Sequence, residues 1–177
     1  MRRPFAGSWA AAGLMLAAAL LPGCGTYRFR DQLNGGLYPT QFHSVSVPIA
    51  VNRTFWQGTE FDLTEAVIKE VSHRTPYAIM GRSGADSRLR LTITDIRQAM
   101  VSRRQSGGPQ EMEWSITVDM EWTDAVTGLP FRSIKGMASP AVYMPAAGAR
   151  EPHQVAQRQA VERLARDIVD AMRSDDW

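Results

Sequence analysis

The chain has 177 residues, 44% hydrophobic and 21% charged, a globular composition that excludes a disordered chain, a collagen-like repeat and a coiled-coil rod. Lys and Arg total 20 against 18 Asp and Glu, but Arg2 and Arg3 precede the only long apolar run, and no acid occurs before residue 24. Without residues 1–23 the balance is 18 minus 18, or zero, which argues against a basic nucleic-acid-binding domain.

Arg2 and Arg3 form a positive start, and Trp9 to Leu21 is an apolar run of 13 residues, shorter than the roughly 17 that a bilayer span needs. Residues 1–23 therefore read as a signal peptide. The run closes on Leu21-Pro22-Gly23-Cys24, which resembles the lipobox of bacterial lipoproteins, although Pro22 is a less usual occupant. The resemblance implies acylation of Cys24 and cleavage before it. Cys24 is the sole cysteine, so no disulfide competes for it. Several acyl chains on one residue hold a protein firmly, at about 0.8 kcal/mol per buried methylene. Gly25 in place of Asp favours the outer membrane by the same resemblance. Arg2-Arg3-Pro4-Phe5 echoes a twin-arginine signal but lacks the Ser or Thr ahead of it.

Residues 24–43 hold Gly25, Gly35, Gly36 and Pro39 without a sustained period and read as a lipidated tether and first loop. Residues 44–177 read as one domain, long enough for a single core. Ser44 to Val51 places Val45, Val47, Ile49 and Val51 at period two, as a half-buried strand does, with Pro48 marking an edge or bulge. Asp62-Leu63-Thr64-Glu65 has capping-box spacing, and Leu63, Ala66, Val67 and Val71 predict a helix from Phe61 to Arg74, ended by Pro76. Tyr77 to Met80 then returns toward the sheet.

Arg88 to Ile96 alternates Leu89, Leu91 and Ile93 inward, until Asp95-Ile96 breaks the phase and predicts a bulge. Met112 to Trp122 alternates Met112, Trp114, Ile116, Val118, Met120 and Trp122 with polar residues, the pattern of a long strand with one wet face. The turn-rich stretch from Arg103 to Pro109 joins the two as an antiparallel hairpin with a basic tip. Phe131 to Ala138 predicts a further strand and Ser139 to Arg150 a loop. From Pro152, a stripe of Val155, Ala156, Ala160, Val161, Leu164, Ala165, Ile168, Val169 and Met172 predicts a C-terminal helix. The fold class is α+β, with two amphipathic helices packed on one face of a four- or five-stranded, largely antiparallel mixed sheet.

Chemistry is sparse. His43, His73 and His153 have no second metal ligand at useful spacing, and no nucleophile elbow or phosphate loop occurs; neither a metal nor a cofactor is expected. Asp119 and Glu121 share a face roughly 7 Å apart at strand spacing, the one pair that would suit a small hydrolase, although alternation alone accounts for two acids on a wet face. Trp114 and Trp122 fall on the core side, whereas no pattern assigns Trp56. Arg88 and Arg90 share the outward face, and Arg97, Arg103 and Arg104 follow as the strand leaves the sheet. Guanidinium groups bind phosphate bidentately, so these three are candidate contacts for an anionic glycolipid or a partner, set against the ordinary reading of a solvated charged face.

Cys24-Gly25-Thr26-Tyr27-Arg28-Phe29, SVSVPIAVNRT from Ser44 to Thr54, FDLTEAVIKEVSHRTPYAIM from Phe61 to Met80, and Ala85-Asp86-Ser87 leading into RLRLTITDI together resemble the lipopolysaccharide-assembly lipoprotein family (LptE-like). The likeness is one of element order and texture over nearly all of residues 24–177. It implies a non-enzymatic outer-membrane lipoprotein that plugs a large β-barrel (LptD-like), helps it assemble, and binds lipopolysaccharide on its way to the outer leaflet. The alternative is a lipid-anchored adaptor or auxiliary subunit of another envelope transport complex. No nucleic-acid partner is expected.

Overall fold

The structure is a computed structural model that describes residues 37–103, 109–144 and 152–173. The signal segment, Cys24, Arg104 and the second half of the predicted loop up to Arg150 lie outside the described residues. In chain order the elements are β1 (Ser44–Ser46), β2 (Val51–Asn52), α1 (Thr59–Arg74), β3 (Ala78–Ile79), β4 (Ser87–Arg103), β5 (Pro109–Asp124), β6 (Pro130–Tyr143) and α2 (Pro152–Ala171). The sheet runs β3-β1-β4-β5-β6, with β2 also paired to β4. β1 pairs in parallel with β3 and β4, β2 in parallel with β4, and β4-β5-β6 is an antiparallel meander. The α+β expectation holds, and β1 and β2 together are one strand interrupted at Pro48.

That interruption corrects the predicted alternation. Val45 is fully buried, but Ile49 and Val51 are 59% and 49% exposed, and Ala50 turns inward in their place. Pro48 has no N–H and a fixed φ, so the ladder stops there and the phase shifts by one residue. The N–H of Ala50, buried by this shift, donates to Thr64 Oγ1 at 3.0 Å. The strand's second half is thereby tied to the helix.

α1 forms where Leu63, Val67 and Val71 recur at i, i+4 and i+8, all fully buried. It starts before the predicted Phe61, and its N-cap is Gly58 at φ +94°, with no side-chain cap. The capping-box spacing of Asp62 and Glu65 is unused because both lie inside the helix. Thr64, one of the two residues between them, instead donates to Glu60 O at 2.6 Å while accepting from Ala50. Thr75 adopts extended backbone, and its N–H and hydroxyl both donate to Val71 O before Pro76. The chain then returns to the sheet, with Ala78 N–H on His43 O and Met80 N–H on Val45 O.

In β4 the predicted bulge is present as a register shift between Ile93 and Asp95. Leu89, Leu91, Ile93 and Ile96 face the core with Trp114, Ile116, Val118, Met120 and Trp122 of β5. β6 runs five residues beyond the predicted Ala138, and Ser139 and Ala141 are buried there, so the head of the expected loop is strand. Pro140 is tolerated because β6 is an edge strand with one side unpaired. In α2 the predicted stripe is buried from Ala156 to Met172, whereas Val155 is 56% exposed. It lies in the first turn, ahead of Gln157, where α1 begins to pack alongside.

The two helices run side by side in the same direction. Near their starts Gln157 Nε2 donates to Thr59 Oγ1 and Asp62 Oδ2, both at 3.4 Å; near their ends Arg74 meets Asp170 at 2.6 Å. Both cover one sheet face over a single core. At one end Phe42, Tyr77, Trp122 and Phe131 pack ring against ring, with centroids 5.0–5.7 Å apart around Trp122. No helix among the described residues is long and apolar enough to cross a membrane.

Candidate functional site

The face of the sheet away from the helices carries the alternate residues of β4 and β5. The observed register places Arg90 opposite Glu121, Thr92 opposite Asp119, Asp95 opposite Thr117 and Arg97 opposite Ser115. Period two fixes this outcome: once Leu91, Ile93, Trp114, Ile116, Val118 and Met120 face the core, every intervening residue faces out. The result is a broad surface of short hydroxyls and balanced charge. Its residues satisfy one another: Arg90 Nη1 donates to Glu121 at 2.9 Å, Thr94 Oγ1 to Thr117 O at 3.2 Å, and Gly136 N–H to Asp119 Oδ1 at 2.9 Å. The last bond sits at a second register shift, between Val118 and Met120, where Gly136 takes φ +70°.

This geometry gives Asp119 and Glu121 structural duties. One holds the bulge of β6 and the other a cross-strand ion pair, and an acid–base pair working on a substrate needs both carboxylates aimed at one reacting group. A cavity of about 760 Å³ among the described residues lies elsewhere, over the outer sides of α1 and α2, among Asp62, Glu65, Lys69, Arg158 and Glu162.

Of the three candidate arginines, Arg97 and Arg103 are not brought to one point. Arg97 Nε is paired with Asp95 of its own strand. Arg103 ends β4 opposite Pro109 and is exposed, six positions further on, on the order of 20 Å at strand rise. Arg104 lies outside the described residues. Near the hairpin end Ser102 Oγ donates to Glu111 at 3.2 Å, and Gln98 Nε2 to Tyr143 Oη at 3.3 Å. Met100 and Val101 are 44% and 52% exposed there. Beyond Ile93, where β2 ends, β4 pairs only with β5 among the described residues, so the hairpin extends past the β1–β2 side of the sheet.

Sequence patterns passed over one feature. Between β2 and α1 the chain makes a loop pinned at its ends by Asn52, whose Nδ2 donates to Glu60 at 2.8 Å and to Trp56 O at 2.6 Å. Asn52 Oδ1 accepts from Thr54 N–H and Thr54 Oγ1, and Glu60 also accepts from Gly58 N–H at 3.1 Å. The Asn52 bond holds the Glu60 carboxyl below its ordinary pKa. The loop presents Phe55, 101% exposed, and Trp56, 36% exposed. The sequence signal was the hydrogen-bonding pair Asn52 and Glu60 around two consecutive aromatics, but neither residue carries a period.

The lipopolysaccharide-assembly family model, LptE, matches residues 42–174. No curated protein matches the chain. Among solved structures, the chain shares its fold with lipoprotein B of Nitrosomonas europaea, 16% identical over 77% of this chain and 88% of that one, with a TM-score of 0.51. It also shares it with the rare lipoprotein B of Shewanella oneidensis, at 15% identity, 73% and 92% coverage and a TM-score of 0.50. A protein from Xanthomonas campestris matches at 10% identity, 75% and 85% coverage and a TM-score of 0.55.

Proposed function

Because the chain belongs to the lipopolysaccharide-assembly (LptE) family, we propose that it is a non-enzymatic lipoprotein of the outer membrane, anchored by acylated Cys24. It seats in the lumen of a large β-barrel (LptD-like), supports that barrel's assembly, and assists lipopolysaccharide delivery to the outer leaflet. The observation that carries this reading is the family match over residues 42–174. The open sheet face is compatible with it: a barrel lumen is polar and wet, and rows such as Arg90–Glu121 and Thr92–Asp119 offer a surface of the same character. Arg97, Arg103 and Arg104 remain candidate contacts for lipopolysaccharide phosphates or for the barrel, with Arg103 exposed at the end of β4.

Affinity purification of the full-length tagged protein from its own outer membrane in mild detergent, followed by mass spectrometry, tests the reading. A large β-barrel recovered in about one-to-one amount supports it. Recovery of inner-membrane transporter subunits, or of no stoichiometric partner, overturns it in favour of a lipid-anchored adaptor.

A further inference from the structure

We propose that the loop between β2 and α1 is a membrane-contacting loop, with Phe55 and Trp56 entering the headgroup–acyl boundary of a phospholipid bilayer. The first observation is exposure. Phe55 is 101% exposed, and Trp56 beside it is 36% exposed, while Phe61 in the first helical turns is 57% exposed. An aromatic ring left wholly in water forfeits the largest apolar burial a side chain offers, and Phe and Trp side by side suit the interface, where a ring lies apolar on one side and wet on the other.

The second observation is preorganisation. Four of the loop's N–H groups are satisfied inside the protein: that of Arg53 donates to Ile93 O at 3.0 Å, that of Thr54 to Asn52 Oδ1 at 2.9 Å, that of Trp56 to Thr54 Oγ1 at 3.2 Å, and that of Gly58 to Glu60 at 3.1 Å. A segment that enters a bilayer boundary leaves water behind, so its N–H groups need partners it brings along. These four have them. Glu60, the acid nearest the tip, is turned inward onto Asn52 and Gly58, while Arg53 is exposed at the loop's base. The tip therefore offers two rings and a cation, the combination that favours an anionic phospholipid surface.

The third is reach. Leu37 is thirteen positions on from Cys24, a span of at most about 45 Å. Val45 pairs with Ser87 and Asn52 with Ile93, so the loop lies roughly 20 Å along β4 from the end where the chain enters the sheet. An anchor at Cys24 thus permits the loop to meet the same bilayer. A polar barrel lumen does not match this tip, and the proposal adds to the plug reading a surface that stays outside the lumen.

The test dispenses with the anchor. The mature chain carrying Cys24→Ser is mixed with phosphatidylethanolamine–phosphatidylglycerol vesicles, and binding is read by co-sedimentation. We expect binding that Phe55→Ser/Trp56→Ser weakens by about tenfold or more, a conservative figure for withdrawing two aromatic rings from an apolar phase. Phe55→Leu should retain most of it. Brominated acyl chains should quench a component of the tryptophan emission that Trp56→Phe removes. Phe55→Ser alone serves if the double variant does not fold, since that side chain is wholly in solvent. Absent binding, equal binding by the parent and the serine variants, or unquenched Trp56 would each overturn the proposal. So would serine variants that lose a co-purifying barrel while their vesicle binding is unchanged, which would assign the rings to a protein pocket. The barrel reading can fail without affecting the vesicle-binding and quenching readouts.

Discussion

Ser44 and Asp86 grip each other in both directions: the Asp86 carboxylate accepts the N–H of Ser44 at 3.1 Å, and Ser44 Oγ accepts the N–H of Asp86 at 3.0 Å. The same carboxylate oxygen accepts the His43 N–H at 2.9 Å, and Ser87 Oγ donates to Ser44 O at 2.9 Å. Together these bonds fix where β1 begins against β4, and hence the register of the parallel half of the sheet. The His43 N–H, followed by the Ser44 hydroxyl, holds the Asp86 carboxyl below its ordinary pKa.

A depressed folded-state pKa means that the folded chain binds the proton less readily than the unfolded one. The resulting stabilisation is fully present above the unfolded carboxylate value, near 4, and is lost as pH falls through the lower folded value. Asp124, held down by the Thr127 and Val126 N–H groups, and Glu60, held down chiefly by Asn52, act with the same sign. Asp86→Asn should therefore lower stability at neutral pH and flatten its decline on acidification below about pH 4. Urea midpoints measured across that range check both effects; an unchanged acid slope would remove Asp86 from the account.

Thr64 joins β2 to α1 through a buried bond that does not depend on ionisation. Thr64→Val keeps the shape but leaves the Ala50 N–H without its acceptor, an omission that costs about 1–3 kcal/mol. The denaturant midpoint should fall while its slope stays constant, because the surface exposed on unfolding is unchanged. A loss well below that range would mean that Ala50 finds another partner.

The two ends of the Trp122 cluster should respond differently. Trp122→Ala empties a fully buried site ringed by Phe42, Tyr77 and Phe131 and should cost about 3–5 kcal/mol. Tyr77→Phe removes only the hydroxyl that donates to Pro39 O at 2.9 Å and should cost about 1 kcal/mol. Burial raises the Tyr77 pKa, so the bond persists through the alkaline range in which an ordinary phenol ionises. Chemical denaturation of the two variants in parallel separates the packing contribution from the hydrogen bond.

The long strands were legible because alternation is local. Trp114 and Trp122 face the core as their spacing requires, and the phase break at Asp95 marks a real register shift. What the sequence hid depends on partners distant along the chain. Thr64 looks like part of a capping box until Ala50, fourteen positions earlier, is placed beside it. Ser139 to Tyr143 looks like loop because prolines break strands, and only the edge position of β6 removes that objection. The arginines were legible as basic residues, but the separation of Arg97 from Arg103 follows from the length of the hairpin, and the engagement of Arg97 follows from Asp95. No pattern assigns Trp56, and it is the Asn52 network that turns the loop outward.

Asp119 and Glu121 provide a test between chemistry and architecture. Alanine at both positions removes the Gly136 N–H contact and the exposed Arg90 pair. An exposed ion pair is worth about 0–1 kcal/mol, so the double variant should fold with a small loss of stability and retain its cellular role. Loss of that role in a variant shown to fold, with a barrel still co-purifying, would revive a catalytic reading of the pair.

The open sheet face makes the final distinction between the plug reading and a generic adaptor. A lumen encloses its plug, whereas an adaptor docks through one limited patch. A photo-crosslinking residue at Thr117, in the middle of the polar face opposite Asp95, should capture the barrel if that face meets the lumen wall. One at Glu65, on the outer side of α1 beside the interhelical groove, reports on the opposite layer. Crosslinks to one barrel from both positions fit enclosure, because only a surrounding wall reaches two opposed faces. Crosslinks from Glu65 alone would leave the sheet face in water, so its polarity would be no more than solvation. The substitution at Thr117 is sterically mild, since neighbouring side chains on that face are short and only partly buried, so a negative result there reflects the partner's position and not an unfolded chain.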